Sequence, residues 1–339
     1  MQAQALIDTA NELVAPGKGI LAADESTGTI KKRLASIDVE STEENRRAYR
    51  NLLFTTPGVE DFISGVILFE ETLFQKADDG TPFPDLLAAK GIVPGIKVDK
   101  GAKPLAGFEG EKVTEGLDGL RERLADYREA GARFAKWRAV IDIGEHIPSD
   151  NCIDVNAHAL ARYAALCQEA GIVPIVEPEV LMDGAHSIER CEAVTARVLA
   201  RVFAELDAQG VLFEGMLLKP NMVIAGKECP QQAGVAQVAE ATLRCLKRYV
   251  PAAVPGIVFL SGGQSDEVAT AHLDAMNRIG GAPWRLSFSY GRALQAPALK
   301  AWSGKPDNVP AAQEAYFKRA KCNGAATRGE YSEDMERAA

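Results

Sequence analysis

Gly215-Met216-Leu217-Leu218-Lys219-Pro220-Asn221 reads as a buried β-strand that stops at a lysine. The apolar run carries no polar residue until Lys219. Pro220 then ends it, because proline has no N–H to give to a sheet ladder. Lys219 is thereby set at the C-terminal lip of the strand. A lysine in such a place usually snorkels to solvent. Desolvation instead disfavours the ammonium, and a neutral amine beside a pocket is a nucleophile that forms Schiff bases with carbonyl compounds. The surrounding chain decides between these two readings.

Seven more runs have the same form, apolar and closed by a polar residue or glycine. They span 19–24, 63–70, 93–99, 134–140, 172–179, 257–261 and 286–290. Helical periodicity lies between them, over 117–130, 155–170, 188–206, 235–249, 267–279 and 293–302, with glycines at several helix exits. Eight alternations of strand and helix predict a parallel sheet, and eight such units close into a (β/α)8 TIM barrel. An open doubly wound sheet is the competing topology. Its nucleotide turn would be Gly-x-Gly-x-x-Gly, whereas the first run here ends Asp24-Glu25-Ser26-Thr27-Gly28. The barrel is therefore preferred, as one domain over 1–323. Extra helices are expected over 1–16, 42–53 and 311–321, and a polar, flexible tail over 324–339.

The chain has 339 residues, of which 47% are hydrophobic and 25% charged, with a net charge of -9. That is the make-up of a soluble protein with a large core. It shows no basic stripe for nucleic acid and no apolar run of membrane-spanning length. The six cysteines form no Cys-x-x-Cys pair and read as reduced thiols, which predicts a cytoplasmic setting. The four histidines have no zinc-chelating spacing, so no metal is expected. No other cofactor is expected. His146 alone among them follows a strand end.

In such a barrel, function gathers at the C-terminal strand ends. Those ends carry Asp24, Glu70, Lys97 with Asp99, Lys136 with Arg138, Glu177 with Glu179, and Lys219. Residues two apart on a strand share a face. Lys136 and Arg138 are thus neighbours, as are Glu177 and Glu179. An ammonium at Lys136 close to Lys219 would favour the neutral amine by like-charge repulsion. Glu177 could then shuttle protons as a carbinolamine forms and dehydrates. Glu-Pro-Glu alone would equally suit a structural ion-pair network.

Anion sites are the second signal. Ser261, Gly262 and Gly263 follow the seventh run, and Ser289, Gly291 and Arg292 close the eighth. The loops after these two strands are the usual phosphate site of the barrel. Glycine lets backbone N–H groups approach an anion, and arginine adds a bidentate fork. A basic cluster, Lys31-Lys32-Arg33, follows the first run; with Lys97 and Arg138 it would hold a second phosphate across the rim. A carbonyl compound with two phosphates is the implied substrate.

These segments resemble the class I, Schiff-base fructose-bisphosphate aldolases over nearly the whole chain. The resemblance is carried by Gly19 to Ser26, Gly95-Ile96-Lys97-Val98-Asp99, Phe134-Ala135-Lys136-Trp137-Arg138, Glu177-Pro178-Glu179, Leu217 to Met222, Leu260 to Ser265 and Phe288 to Leu294. It implies Lys219 as the Schiff-base lysine and Glu177 as general acid and base. Asp24 would orient the C4 hydroxyl, Lys136 would be the cation beside the nucleophile, and Glu179 would belong to the same network. Ser261, Gly262 and Arg292 would hold the C1-phosphate; Arg33, Lys97 and Arg138 would lie on the C6-phosphate side. Thr29 stands where the family often has serine. The resemblance also implies a homotetramer, and a role in glycolysis and gluconeogenesis. Many members end in a tyrosine that serves proton exchange at the enamine carbon. This sequence ends Glu336-Arg337-Ala338-Ala339, and Tyr331 is not expected to take that role. Two alternatives stand beside this expectation: a related aldolase preferring sedoheptulose 1,7-bisphosphate or fructose 1-phosphate, and an inactive barrel kept as a binding scaffold.

Overall fold

The computed structural model describes residues 2–337, so Met1 and the last two alanines of the expected tail lie outside the described residues. Among the described residues ten strands form, in chain order: β1 (Gly19–Ala23), β2 (Ile63–Leu68), β3 (Val93–Lys97), β4 (Ala102–Pro104), β5 (Lys112–Thr114), β6 (Phe134–Ile141), β7 (Val173–Val180), β8 (Leu217–Leu218), β9 (Gly256–Phe259) and β10 (Arg285–Tyr290). Eight of them close a parallel barrel in the order β1-β2-β3-β6-β7-β8-β9-β10, and β10 pairs back onto β1 through Ile20 opposite Ser289. The (β/α)8 barrel is thus the fold. β4 and β5 make a separate antiparallel hairpin on the loop after β3, which the sequence pattern did not announce.

Alternation along each strand sorts residues into two cores. Outward side chains such as Leu21, Val66, Ile96, Trp137, Val176 and Phe259 pack under the helical ring. Inward ones, Ile20, Ile67, Val93, Phe134, Val173, Ile175, Leu217 and Val258, fill the lower barrel together with Leu6, Ala10, Leu13 and Val14. The latter four belong to or adjoin the helix Gln2–Leu13, which therefore plugs the N-terminal mouth. The inward parity then runs upward into charge: Phe134 leads to Lys136 and Arg138, Val173 and Ile175 to Glu177 and Glu179, Leu217 to Lys219. A dry floor and a charged rim follow from one two-residue period.

Phe134 fits only because its neighbours lack side chains. A Cβ on Gly95 would stand 2.3–2.5 Å from three atoms of its ring, and one on Gly65 would meet it at 3.1 Å. The ring lies inside a closed barrel and has nowhere to retreat. Gly95→Ala is expected to destabilise the fold by about 1–3 kcal/mol. Urea unfolding checks this; an unchanged midpoint would show that the barrel floor is looser than described.

Helix starts are set by polar caps. Thr42, Ser149, Ser187 and Ser265 each accept a backbone N–H from the first turn of their helices, Glu43–Phe54, Asp150–Glu169, Ile188–Ala208 and Asp266–Ile279. The domain boundary expected at Gly324 needs correction, because it falls inside the helix Val309–Ala326. The following segment is fastened rather than loose. The Tyr331 N–H donates to Asp274 Oδ1 at 2.9 Å, Arg278 donates to the Tyr331 carbonyl at 2.7 Å, and Arg319 pairs with Glu336. The polar composition that suggested a tail instead supplies these contacts.

Candidate active site

The charged rim encloses a cavity of about 730 Å³ at the C-terminal mouth. Apart from Lys31 and Lys32, every residue singled out above as catalytic or phosphate-binding lies on its wall. Of the basic cluster after β1, Arg33 alone does so; Lys31 and Lys32 are exposed on the helix Thr27–Ala35. His146 is fully turned to solvent and forms no part of the wall.

At the centre are two buried lysines and two carboxylates. Lys219 follows β8 directly, and its N–H still donates to the Val176 carbonyl at 2.8 Å, so the ladder aims its side chain inward before Pro220 ends it. Lys219 Nζ lies 3.2 Å from Glu177 Oε1. Lys136 Nζ lies 3.5 Å from Glu177 Oε2 and 2.6 Å from Asp24 Oδ2. The Lys219, Lys136 and Glu177 side chains are each about 5% exposed. Glu177 thus stands between the two amines.

Burial would raise the Asp24 carboxyl, but Lys136, Lys219 and Lys97 outweigh it and hold Asp24 well below the usual carboxylate range. Burial likewise disfavours the Lys136 ammonium, yet Asp24, Glu177 and Asp99 overcome this and hold its pKa above that of an ordinary lysine. Lys136 is therefore a fixed cation. Glu179 is pushed up by burial; Arg138, its ion-pair partner, opposes this and Glu177 adds to it.

The two ends of the cavity are basic. On one side Lys97 donates to Asp99 Oδ1 at 2.7 Å, and Arg33 pairs with Glu25. On the other, Gly262 and Gly263 take the left-handed backbone conformation, with φ of 58° and 86°. Consecutive N–H groups in such a turn form an anion cradle. The Ser289 hydroxyl, 1% exposed, borders this end and has no hydrogen-bond partner among the described residues. A buried hydroxyl left so calls for a partner from outside the protein, such as water or an anion. Arg292, at the start of the helix Arg292–Trp302, donates to the Gln264 carbonyl.

The comparisons with known proteins agree with this geometry. Residues 5–339 match the family model for fructose-bisphosphate aldolase class-I. The chain belongs to the class I fructose-bisphosphate aldolases. These are lyases that act on a sugar bisphosphate. A relative from Xanthomonas axonopodis pv. citri, named "Probable fructose-bisphosphate aldolase class 1", is 60% identical, covering 98% of this chain and 99% of its own. The cytosolic fructose-bisphosphate aldolase 6 of Arabidopsis thaliana is 61% identical over 98% of this chain and 93% of its own. The fructose-bisphosphate aldolase of Plasmodium falciparum, solved in complex with TRAP and an inhibitor, superposes with a TM-score of 0.96 at 55% identity, covering 98% and 96%.

Several supporting residues of this aldolase escaped the sequence reading. Glu25, 7% exposed, is held by Arg33, by Arg50 at 2.7 Å and by Gln295 at 2.8 Å, and so positions Arg33 at the rim. His272 donates through Nδ1 to Gln264 Oε1 at 2.6 Å, and the Gln264 amide donates to the Ser261 carbonyl at 2.9 Å, bracing the glycine turn. Burial lowers the His272 pKa to about 4, so it is neutral there. The pattern that could have flagged Glu25 is its place beside Asp24 on the opposite face of the chain. His272 carried no such signal. Tyr331 donates its O–H to Glu336 at 3.0 Å and lies against the helix Asp266–Ile279, away from the cavity wall.

Proposed function

We propose that this aldolase cleaves fructose 1,6-bisphosphate through a Schiff base on Lys219, giving dihydroxyacetone phosphate and glyceraldehyde 3-phosphate reversibly. The observation that carries this is Glu177 lying within 3.5 Å of both Lys219 Nζ and Lys136 Nζ at a buried barrel mouth. Glu177 takes a proton from Lys219, and the freed amine attacks the ketose carbonyl. Returning that proton to the carbinolamine oxygen lets water leave and the iminium form. The iminium accepts the electron pair of the C3–C4 bond as a carboxylate removes the C4 hydroxyl proton. Asp24 suits this last task, since the surrounding lysines keep it ionised. Glu179 belongs to the network through Arg138. Protonation of the enamine carbon and hydrolysis of the imine complete the cycle.

The cradle at Ser261, Gly262, Gly263, Ser289, Gly291 and Arg292 takes the C1-phosphate. Thr29, Arg33, Lys97 and Arg138 take the C6-phosphate. Two basic ends with the amine between them match a bisphosphate with a central carbonyl. The homotetramer, the cytoplasmic setting and the glycolytic or gluconeogenic role belong to the same proposal. They are supported by family membership and, for the setting, by the name of the cytosolic plant relative.

Borohydride added during turnover should reduce the iminium to a stable secondary amine. The modified peptide should map to Lys219 by mass spectrometry. Trapping elsewhere, or turnover with no trappable adduct, would overturn the assignment. Comparing kcat/KM for fructose 1,6-bisphosphate, sedoheptulose 1,7-bisphosphate and fructose 1-phosphate fixes the preferred ketose.

A further inference from the structure

One more cation stands over the glycine turn than the scheme above uses. Lys227 comes from the segment after β8. That segment is sewn to the one after β7 by three backbone hydrogen bonds: Gly226 N–H to the His186 carbonyl at 2.8 Å, Lys227 N–H to the Met182 carbonyl at 2.8 Å, and Glu228 N–H to the Gly184 carbonyl at 2.9 Å. The bonds fix where the Lys227 side chain starts. Its ammonium lies directly above the cradle, 3.1 Å from the place a Cβ on Gly263 would occupy. Gly263 takes a positive φ that favours glycine, and the end of the Lys227 side chain sits against the space left by its missing Cβ.

Lys227 pairs with Asp183 at 3.1 Å. Both side chains face solvent, 47% and 62% exposed, and such pairs hold weakly. Lys227 and Asp183 both border the cavity. Beneath them the cradle offers the unpartnered Ser289 hydroxyl, two glycines in left-handed conformation and the guanidinium of Arg292. A dianionic phosphate seated there outweighs one guanidinium, and a singly charged, solvent-exposed carboxylate competes poorly with it for a flexible ammonium.

We propose that Lys227 is a further phosphate-binding residue, which leaves Asp183 on substrate arrival and takes an oxygen of the phosphate held at Gly262 and Gly263. This rests on the assignment of that turn to the C1-phosphate. Binding then ties the segments after β7 and β8 over the dihydroxyacetone phosphate half of the substrate, and leaves the glyceraldehyde 3-phosphate half untouched.

The test is steady-state kinetics in the condensation direction, with each triose phosphate varied in turn. Lys227→Met should raise KM for dihydroxyacetone phosphate about 3- to 10-fold, as loss of one hydrogen bond of ordinary net strength at a solvent-screened lysine implies. KM for glyceraldehyde 3-phosphate should move less than about twofold, and kcat should fall less than KM rises. Lys227→Arg should recover most of the loss. Asp183→Asn, which removes the competitor, should lower KM for dihydroxyacetone phosphate. An unchanged KM in Lys227→Met at low ionic strength would refute the proposal. So would equal rises for both substrates, or a Lys227→Arg variant as impaired as Lys227→Met, which would indicate packing rather than charge. Borohydride trapping on Lys219 is measured in parallel. Failure of trapping in the wild-type protein strikes the catalytic scheme, whereas normal trapping with unmoved KM strikes Lys227 alone.

Discussion

Lys219→Met is expected to reduce turnover by at least about 10⁴-fold and to abolish the borohydride-trapped adduct. Covalent catalysis replaces one hard carbon–carbon cleavage by steps that use the iminium as electron sink. Without the amine no sink exists, and a substantial part of the roughly 10⁶-fold or greater acceleration typical of enzymes disappears. Methionine is close to lysine in length and suits the apolar stem between Leu218 and Pro220. Glu177 loses the partner at 3.2 Å but keeps Lys136 at 3.5 Å. The fold should therefore survive with a stability change within about 2 kcal/mol, well short of breaking a buried pair outright. Both phosphate ends are untouched, so the variant should still bind the bisphosphate, measurable by calorimetry. Turnover within tenfold of wild type would remove Lys219 from the reaction. Loss of binding together with activity would mean that the substitution had disturbed the cavity.

The barrel was legible because its eight strands are buried on both faces, which leaves largely apolar runs of strand length. The rim was legible for a related reason. Once the inward parity of a strand is known, the first charged residue on that parity marks where the floor ends, as at Lys136, Glu177 and Lys219. What stayed hidden was held by partners far apart in sequence. The β4–β5 hairpin has only three residues in each strand, with β4 exposed and β5 half-buried, so it has no apolar alternation to read. Glu25 looks like a solvated neighbour of Asp24 until Arg50 and Gln295 are brought beside it. The segment after Gly324 is polar enough to read as a tail, yet its contacts are ionic and hydrogen-bonded, through Arg319 to Glu336 and Asp274 to Tyr331. The strand before Lys219 begins at Leu217, two residues after Gly215, because Phe213–Gly215 makes a 3-10 turn from residues that also suit a strand.

Lys136→Met should prove the more damaging substitution to the fold and nearly as damaging to catalysis. Lys136 lies 2.6 Å from Asp24 and 3.5 Å from Glu177, and it is the chief attraction holding Asp24 ionised against burial. Removing one member of a buried pair leaves the other charge uncompensated, at a cost of about 3–5 kcal/mol. The pH dependence identifies the cause. Asp24 is depressed below its ordinary 3.8, so its contribution to stability is complete above that pH and fades as acid protonates it. Lys136 is raised above its ordinary 10.5, so its contribution is complete below that pH and is lost as alkali deprotonates it. Between about pH 4 and 10 the wild-type pair thus contributes fully, and there the deficit of the variant should be largest. Below pH 3.8 the deficit should shrink progressively, because Asp24 of the variant, no longer held down by Lys136, takes up its proton readily and then needs no cation, whereas wild-type Asp24 stays ionised and loses its advantage over the protonated unfolded chain. Adding Asp24→Asn to Lys136→Met should return part of the stability, a non-additive cycle between groups in contact. It should return none of the activity, since the carboxylate proposed as proton acceptor at C4 and the cation beside the proposed nucleophile are both gone, and the single variant should already lose about 10²- to 10⁴-fold in kcat. A deficit independent of pH, or strictly additive single and double variants, would show that Lys136 supports the fold through packing rather than through its charge.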